Sequence, residues 1–460
     1  MKTICITSSG GRTIPRYFLR SGVLQRLVAG GVKVIILVLE HDREAYEREF
    51  AGDGIDVVGI PEILPPAWFS KLISFSRSAA HIKITRWMQW VNYSVFGVPY
   101  WKVKRNILIS YLLGTVLFIA RNIQWMVRFI VLRVSPSQPL KNFFHQYHPD
   151  LVFATSAMND IFDVFVLAEA RRCGIKSVAG LRGWDALSNN GFLLVHPDFL
   201  VVQSEYVAEA AQKYQFFPKN SINVIGFPHY DWYKKPELIK PRDEFFRSLG
   251  IDPKKRLILF GANGQVSHER EQEFAEIFED MVKAGTIPGD AILLYRPYPT
   301  YTKGLERLNS LQNVVVDRVR AVGLPTAGNP EIDRQDVIHQ INSLRHSEML
   351  VTTSGTIILD AVALGKPVVV LTFDGKMKSP HRYPFYKVHN GLCLDWAEVG
   401  KCRGFQKAAS PGDWARYMIE YLANPSKDAQ GRECILGRFI EPFDGKSTDR
   451  LARTLFSLLP

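Results

Sequence analysis

Hydrophobic positions follow two different rhythms along this chain of 460 residues. Near the start, TICITS (3–8) and VKVIILVL (32–39) are almost unbroken aliphatic runs. Runs of that kind belong to parallel strands covered on both faces. Between them a segment of helical spacing predicts a helix over about 14–29, stopped by Gly30-Gly31. The same alternation returns further on. HPDLVFATS (148–156), IKSVAGL (175–181), DFLVVQS (198–204) and INVIGFP (222–228) read as strands, with helices at FDVFVLAEARRCG and SEYVAEAAQKY. After a Tyr- and Lys-rich linker, 231–241, the series restarts with RLILFGANG (256–264). It continues through a helix over about 268–284, AILLYRP (291–297), NVVVD (313–317), the helix DVIHQINSLRHS, MLVTTS (349–354) and the helix TIILDAVALG. Right-handed βαβ crossovers turn each half into a doubly wound layer structure, and ligands belong in the crevice at the carboxyl ends of the strands.

The second rhythm occupies the middle. From Ile63 to Pro149 there is no Asp or Glu, but eleven Lys and Arg and five of the nine tryptophans (Trp68, Trp87, Trp90, Trp101, Trp125). The net charge of the whole chain is +12, so nearly all of it resides here. Basic residues interleaved with indoles and aliphatic runs suit an anionic bilayer surface, where each cation is worth about 1 kcal/mol. The uncharged run between Arg105 and Arg121 is too short to span about 30 Å of hydrocarbon. Arg121, Gln124 and Arg128 share one helical face, with Phe118, Ile119, Trp125, Met126 and Phe129 spread over the rest, so a helix lying in the interface is expected. A buried helical hairpin is the alternative. Nucleic acid is not the expected partner.

Composition narrows the class further. With 47% hydrophobic and 22% charged residues the chain folds with an ample core. Cys5, Cys173, Cys393, Cys402 and Cys434 are odd in number and form no CxxC pair, which argues against a disulfide framework or a zinc site. The opening MKTICITSSGGRT lacks a signal-peptide core, so a cytoplasmic protein is expected, peripheral on the inner face of the membrane.

The clearest chemical signal is VTTSGTIILDAVALGKPVVVL (351–371). A strand ends in Thr353-Ser354-Gly355-Thr356, and the helix that follows offers amides and hydroxyls to a diphosphate. Asp360, one turn on, can accept a ribose hydroxyl. Further phosphate contacts are expected from the turn Gly261, Asn263, Gly264 and from Arg296. For the acceptor base the candidate is Asp185, beside Arg182 and Trp184 after a strand end, where the indole would raise its basicity. His229 and Asp231 at the linker form a second acid and base pair. No acidic pair stands at a strand end, so no metal is expected, and no cofactor beyond the donor itself.

These residues resemble a family. The 351–371 stretch looks like the donor element of GT-B glycosyltransferases and of their relatives, the nucleotide-sugar 2-epimerases and CDP-glycerol glycerophosphotransferases. RYFLRSGVLQRL, GLRGWDALSNNG and GRFIEPFDGKSTDRL resemble surface-polysaccharide transferases of the same superfamily. The resemblance implies an α/β GT-B fold of two Rossmann-like domains, at 1–235 (with an insertion at about 63–147) and 236–440, and a helix at 441–460 crossing back. It implies a metal-independent glycosyltransferase that moves a sugar from a nucleotide-sugar to a lipid-linked or glycan acceptor. A CDP-glycerol phosphotransferase and a nucleotide-sugar 2-epimerase are the alternatives. It also places Arg12, Arg16 and Arg20 near acceptor or phosphate. Tyr298 falls in the donor site, where relatives carry the imidazole of Arg-Pro-His-Pro, and Asp360 stands where Glu is commoner.

Overall fold

A computed structural model of the chain describes residues 1–8, 17–78, 90, 93, 97–114, 117–133, 138–158, 160–189, 191–263, 270–298, 304–317, 334–378 and 393–460. The aliphatic runs form two parallel sheets, as the alternation predicts. The first contains β1 (Lys2–Thr7), β2 (Val32–Leu39), β3 (Ile55–Ile60), β4 (Leu151–Ala154), β5 (Lys176–Ala179), β6 (Phe199–Val202) and β7 (Ile222–Val224), in the order β3-β2-β1-β4-β5-β6-β7. The second contains β8 (Arg256–Gly261), β9 (Ala291–Arg296), β10 (Val314–Val316), β11 (Met349–Thr352), β12 (Val368–Leu371) and β13 (Gln406–Ala408), ordered β10-β9-β8-β11-β12-β13. Register follows the pattern: Ile4 sits between Val34 and Leu151, all fully buried.

Several expectations change in detail. The first helix begins only at Val23, because Gly22 adopts φ +97° and ends a short 3₁₀ turn at Leu19–Ser21. β3 and β13 carried no aliphatic run. Both are edge strands with partly exposed positions, β13 only three residues long, and so lack the two-sided burial that makes central strands legible. Cys402 and Cys434, 32 positions apart, are joined in a disulfide with Cα atoms 5.6 Å apart, against the expectation from spacing. They lie at the ends of two helical segments that tertiary packing brings together.

The 447–458 helix packs Leu451, Leu455 and Leu458 into the core under the first sheet. Its Phe456 ring lies so close to Gly30 that a Cβ there would collide with it.

The basic middle segment forms helices Ala67–Ser78, Tyr100–Gly114, Leu117–Arg133 and Gln138–Tyr147. The Leu117–Arg133 helix is oriented opposite to the simple amphipathic reading. Two of its three polar stripe residues turn inward, Arg121 staying exposed: Arg128 donates to the Leu193 carbonyl (2.9 Å) and Gln124 Oε1 (3.0 Å), while Gln124 donates to the Tyr214 carbonyl (3.2 Å). Burial lowers the Arg128 pKa to about 10. The outward face carries Trp125, 68% exposed, with Met126 and Phe129. Trp101, 59% exposed, stands on the Tyr100–Gly114 helix between Lys102 and Arg105, both of which lie over its ring. Among the described residues no helix is long and apolar enough to cross a membrane.

Candidate active site

The donor tip is built where β8 and β11 end side by side. Gly355 has φ +101°, and a Cβ there would strike the Asn263 side chain, so glycine is required for the turn to close. Asn263 donates through its side chain to the hydroxyls of Thr352 (3.0 Å) and Thr353 (3.3 Å) and to the Ser354 carbonyl. Its own amide donates to the buried Glu271 carboxylate (2.9 Å), which also accepts the Thr353 hydroxyl (2.6 Å). Thr353 and Asn263 therefore shape the tip from within, and both depart from the expected direct donor contacts because their polar groups are engaged inside. Ser354 is buried as well, while Gly355 and Thr356 are the accessible part. Gly264 lies outside the described residues.

Asp360 does not open onto solvent. It is 5% exposed, accepts from Gln340 Nε2 (3.1 Å) and faces the phenol of Tyr230 on the interdomain crossing. Burial above all, and then the Asp360 charge, raise the Tyr230 pKa. In this arrangement the ribose contact expected of Asp360 is replaced by a link between domains.

Arg296 also departs from expectation. It is 6% exposed and its guanidinium is held by Asp317 (2.7 Å) and Asp336 (2.8 Å). Despite the burial penalty the two carboxylates raise its pKa, so its charge is fixed but already neutralised. Asp317 in turn contacts His339 (2.8 Å). Sequence gave no sign of this triad, whose members lie up to 40 positions apart. Tyr298, just beyond β9, is 40% exposed.

On the first sheet, the turn after β5 places Arg182 exposed and Asp185 half-buried at the carboxyl end. Trp184 between them is 2% exposed and packs edge-on against Trp396 (5.4 Å) and Phe439 (6.0 Å) of the second domain. One residue from Trp396, Asp395 is fully buried. It accepts from the hydroxyls of Ser188 (2.6 Å) and Tyr206 (2.8 Å). Burial first, and the nearby Asp185 charge second, push its pKa up to about 7. Asp395 is a titratable group that sequence reasoning missed. The only hint was the mirrored wording of Trp184-Asp185 and Asp395-Trp396.

The second acid and base pair is dispersed. Asp231 accepts the amides of Ser447 (2.9 Å) and Thr448 (2.8 Å), so it caps the last helix instead of serving chemistry. His229 is buried and stacks on Tyr17 at 4.0 Å. Arg20 is committed to a two-point pair with Glu49 (2.6 and 3.0 Å). Arg12 and Arg16 lie outside the described residues.

Two parallel sheets in domains that pack together through Trp184, just beyond β5, against Trp396 and Phe439 define the two-domain GT-B class. Solved structures share this architecture. A UDP-GlcNAc 2-epimerase from Neisseria meningitidis bound to UDP-GlcNAc matches with TM-score 0.53 and 13% identity, over 99% of this chain and 100% of that one. A glycosyltransferase from Rickettsia africae matches at 0.51 and 10%, over 99% and 98%. A UDP-GlcNAc 2-epimerase from Methanocaldococcus jannaschii matches at 0.51 and 13%, over 99% and 100%. At such identities the likeness is one of fold. No curated protein matches in sequence. Residues 189–457, more than half of the chain, match the model of the CDP-glycerol:poly(glycerophosphate) glycerophosphotransferase family, and the chain belongs to that family of transferases.

Proposed function

We propose that this chain transfers a polyol phosphate from a cytidine-diphosphate-linked donor to a hydroxyl of a lipid-linked surface polymer, at the inner face of the cell membrane. The observation that carries this reading is the seam itself. Trp184, just beyond the carboxyl end of β5, touches Trp396 of the helix Leu394–Lys401 in the second domain, which supports a ligand crevice between the two sheets. Family membership supplies the class of donor.

In the proposed reaction the accessible Gly355 and Thr356 hold the diphosphate, and Arg182 offsets charge developing on the leaving nucleotide. The acceptor oxygen attacks the phosphorus that carries the polyol. A new O–P bond forms, the P–O–P bridge breaks, the nucleoside monophosphate leaves, and Asp185 takes the hydroxyl proton. No resident metal is invoked, a reading that rests on the missing acidic pair at a strand end.

Docking to an anionic bilayer is supported by the inverted Leu117–Arg133 helix. Arg128 is used inward while Trp125, Met126 and Phe129 face out with Arg121 and Arg133, and the preceding helix adds exposed Trp101 flanked by Lys102 and Arg105.

A second reading, glycosyl transfer from a nucleotide-sugar, is favoured by Tyr298. A phenol stands there in place of the imidazole that contacts the donor phosphate in some resembling proteins. A thermal-shift panel of CDP-glycerol and UDP-, GDP- and CMP-sugars separates the two. The largest shift is expected from CDP-glycerol, and a shift confined to a nucleotide-sugar would overturn phosphate transfer. Asp185→Asn is expected to keep that shift and lose turnover. Full activity in the variant would remove Asp185 from the mechanism.

A further inference from the structure

The chain crosses between its domains twice, through residues 231–241 and again just before the last helix. Both crossings line a cavity of about 630 Å³ that no step of the transfer uses. Four cations converge on it, Lys234, Lys235, Lys240 and Arg345, and no carboxylate belongs to its lining. The rings of Tyr233 and Phe443 form apolar wall between them.

The charges are only partly offset. Lys240 shares a pair with Glu244 (3.0 Å), and the Lys234 ammonium lies 4.0 Å over the Phe443 ring. Lys235 and Arg345 pair with no carboxylate among the described residues. Nearby Asp444 is tied at two points to Arg450 (2.9 Å each) and does not quench the group. Glu237 lies on the same crossing but outside the lining. Lys366 nearby has its pKa lowered by burial first; Glu348, outside the lining, opposes this, and Arg345 and Arg242 add to it.

A concave site with cations of one sign focuses potential on an anion, and a guanidinium beside ammonium groups suits phosphate oxygens. The volume falls within the range of small-molecule pockets. Ala363 and Leu364, also in the lining, end the helix that begins just after Thr356. Seven residues at 1.5 Å each separate this cavity from the donor tip by about 10 Å, the tip lying at the start of that helix and the cavity at its end.

We propose that the hinge cavity is a second site, for a phosphate ester, whose occupant ties the two crossings together. Only the origin of that ester rests on the transferase reading: a nucleotide released by transfer, or a polyol phosphate of the acceptor.

The test is a calorimetric titration of the full chain with inorganic pyrophosphate. Two binding events are expected. Charge reversal at Lys235→Glu with Arg345→Glu is expected to weaken one event about tenfold or more and leave the other. Thr356→Asp is expected to do the converse. Both hinge side chains are exposed, so the melting temperature of the double variant should stay near wild type, and Lys235→Gln with Arg345→Gln should give a smaller loss. If charge reversal leaves every event unchanged, the proposal is overturned. It is equally overturned if wild type shows only the event that Thr356→Asp removes. A single event lost only on hinge charge reversal would uphold the cavity and remove the donor tip from the transferase reading. In competition, displacement of the hinge event by CMP assigns a nucleotide, and displacement by glycerol 3-phosphate assigns the acceptor. Displacement by neither overturns the ester assignment.

Discussion

Two buried carboxylates join the halves of this molecule, and they do so in opposite ways. At the hinge, Asp231 receives two backbone amides from the start of the last helix. Those hydrogen bonds satisfy amides that have no partner within the helix, so the group acts as a fastening. At the seam, Asp395 is given two hydroxyls and an acidic neighbour, Asp185, and burial drives its pKa towards neutrality. Burial alone does not decide what an aspartate does. Its neighbours decide: backbone amides make Asp231 a fastening, while at Asp395 burial and the Asp185 charge raise the pKa.

The comparison can be broken most severely at the packing of the seam. Trp184→Ala removes an indole wedged against Trp396 and Phe439, and is expected to cost about 3–5 kcal/mol in urea unfolding. A loss under about 1 kcal/mol would mean that the seam is not a packed interface. At the hinge, Asp231→Ala strands two buried amides and is expected to cost about 2 kcal/mol. Hydrogen exchange should speed up selectively along residues 447–458, and unchanged protection there would refute the capping role. Asp231→Asn, which retains one acceptor, should lose less.

The titrating junction gives a pH signature. The native Asp395 keeps its proton up to about pH 7, whereas the unfolded chain releases it near pH 4. The native state therefore binds more protons in that window, and stability falls as pH rises through it. Asp395→Asn is expected to flatten part of this slope in melting curves taken from pH 4.5 to 7.5. Asp163, also pushed up to about 7 by burial and by Asp160, retains its own share in the variant. An identical slope in wild type and variant would contradict the assignment to Asp395. The smallest effect on stability is expected on the outward helix face. Trp125→Ala should change folding by within about 0.5 kcal/mol, yet reduce binding to anionic vesicles in a flotation assay. Undiminished flotation would refute docking through that face.

Much of the architecture was legible because central strands of parallel sheets are buried on both faces and leave aliphatic runs that no loop imitates. β1, β2, β8, β9, β11 and β12 were read this way, and so was the strand-to-helix turn at 353–356. The edge strands β3 and β13 escaped because one-sided burial leaves mixed sequence. Site roles were less legible. Arg296, Asp360 and Asp231 lie where the motifs put them, at a strand end, in the helix after the tip and on the linker, but a motif does not state which way a side chain turns or what it meets.

Local pattern alone was enough for the order of strands and helices, the two-sheet division, the tip glycine and the acid-free basic segment. Each depends on backbone conformation or on burial repeated over neighbouring residues. Folding in three dimensions chose the partners: Asp317 and Asp336 for Arg296, Ser447 and Thr448 for Asp231, Ser188 and Tyr206 for Asp395, and the protein interior for Arg128. Ion pairing and desolvation act over a few ångströms in space, and residues up to 217 positions apart in sequence come that close only after the chain has folded.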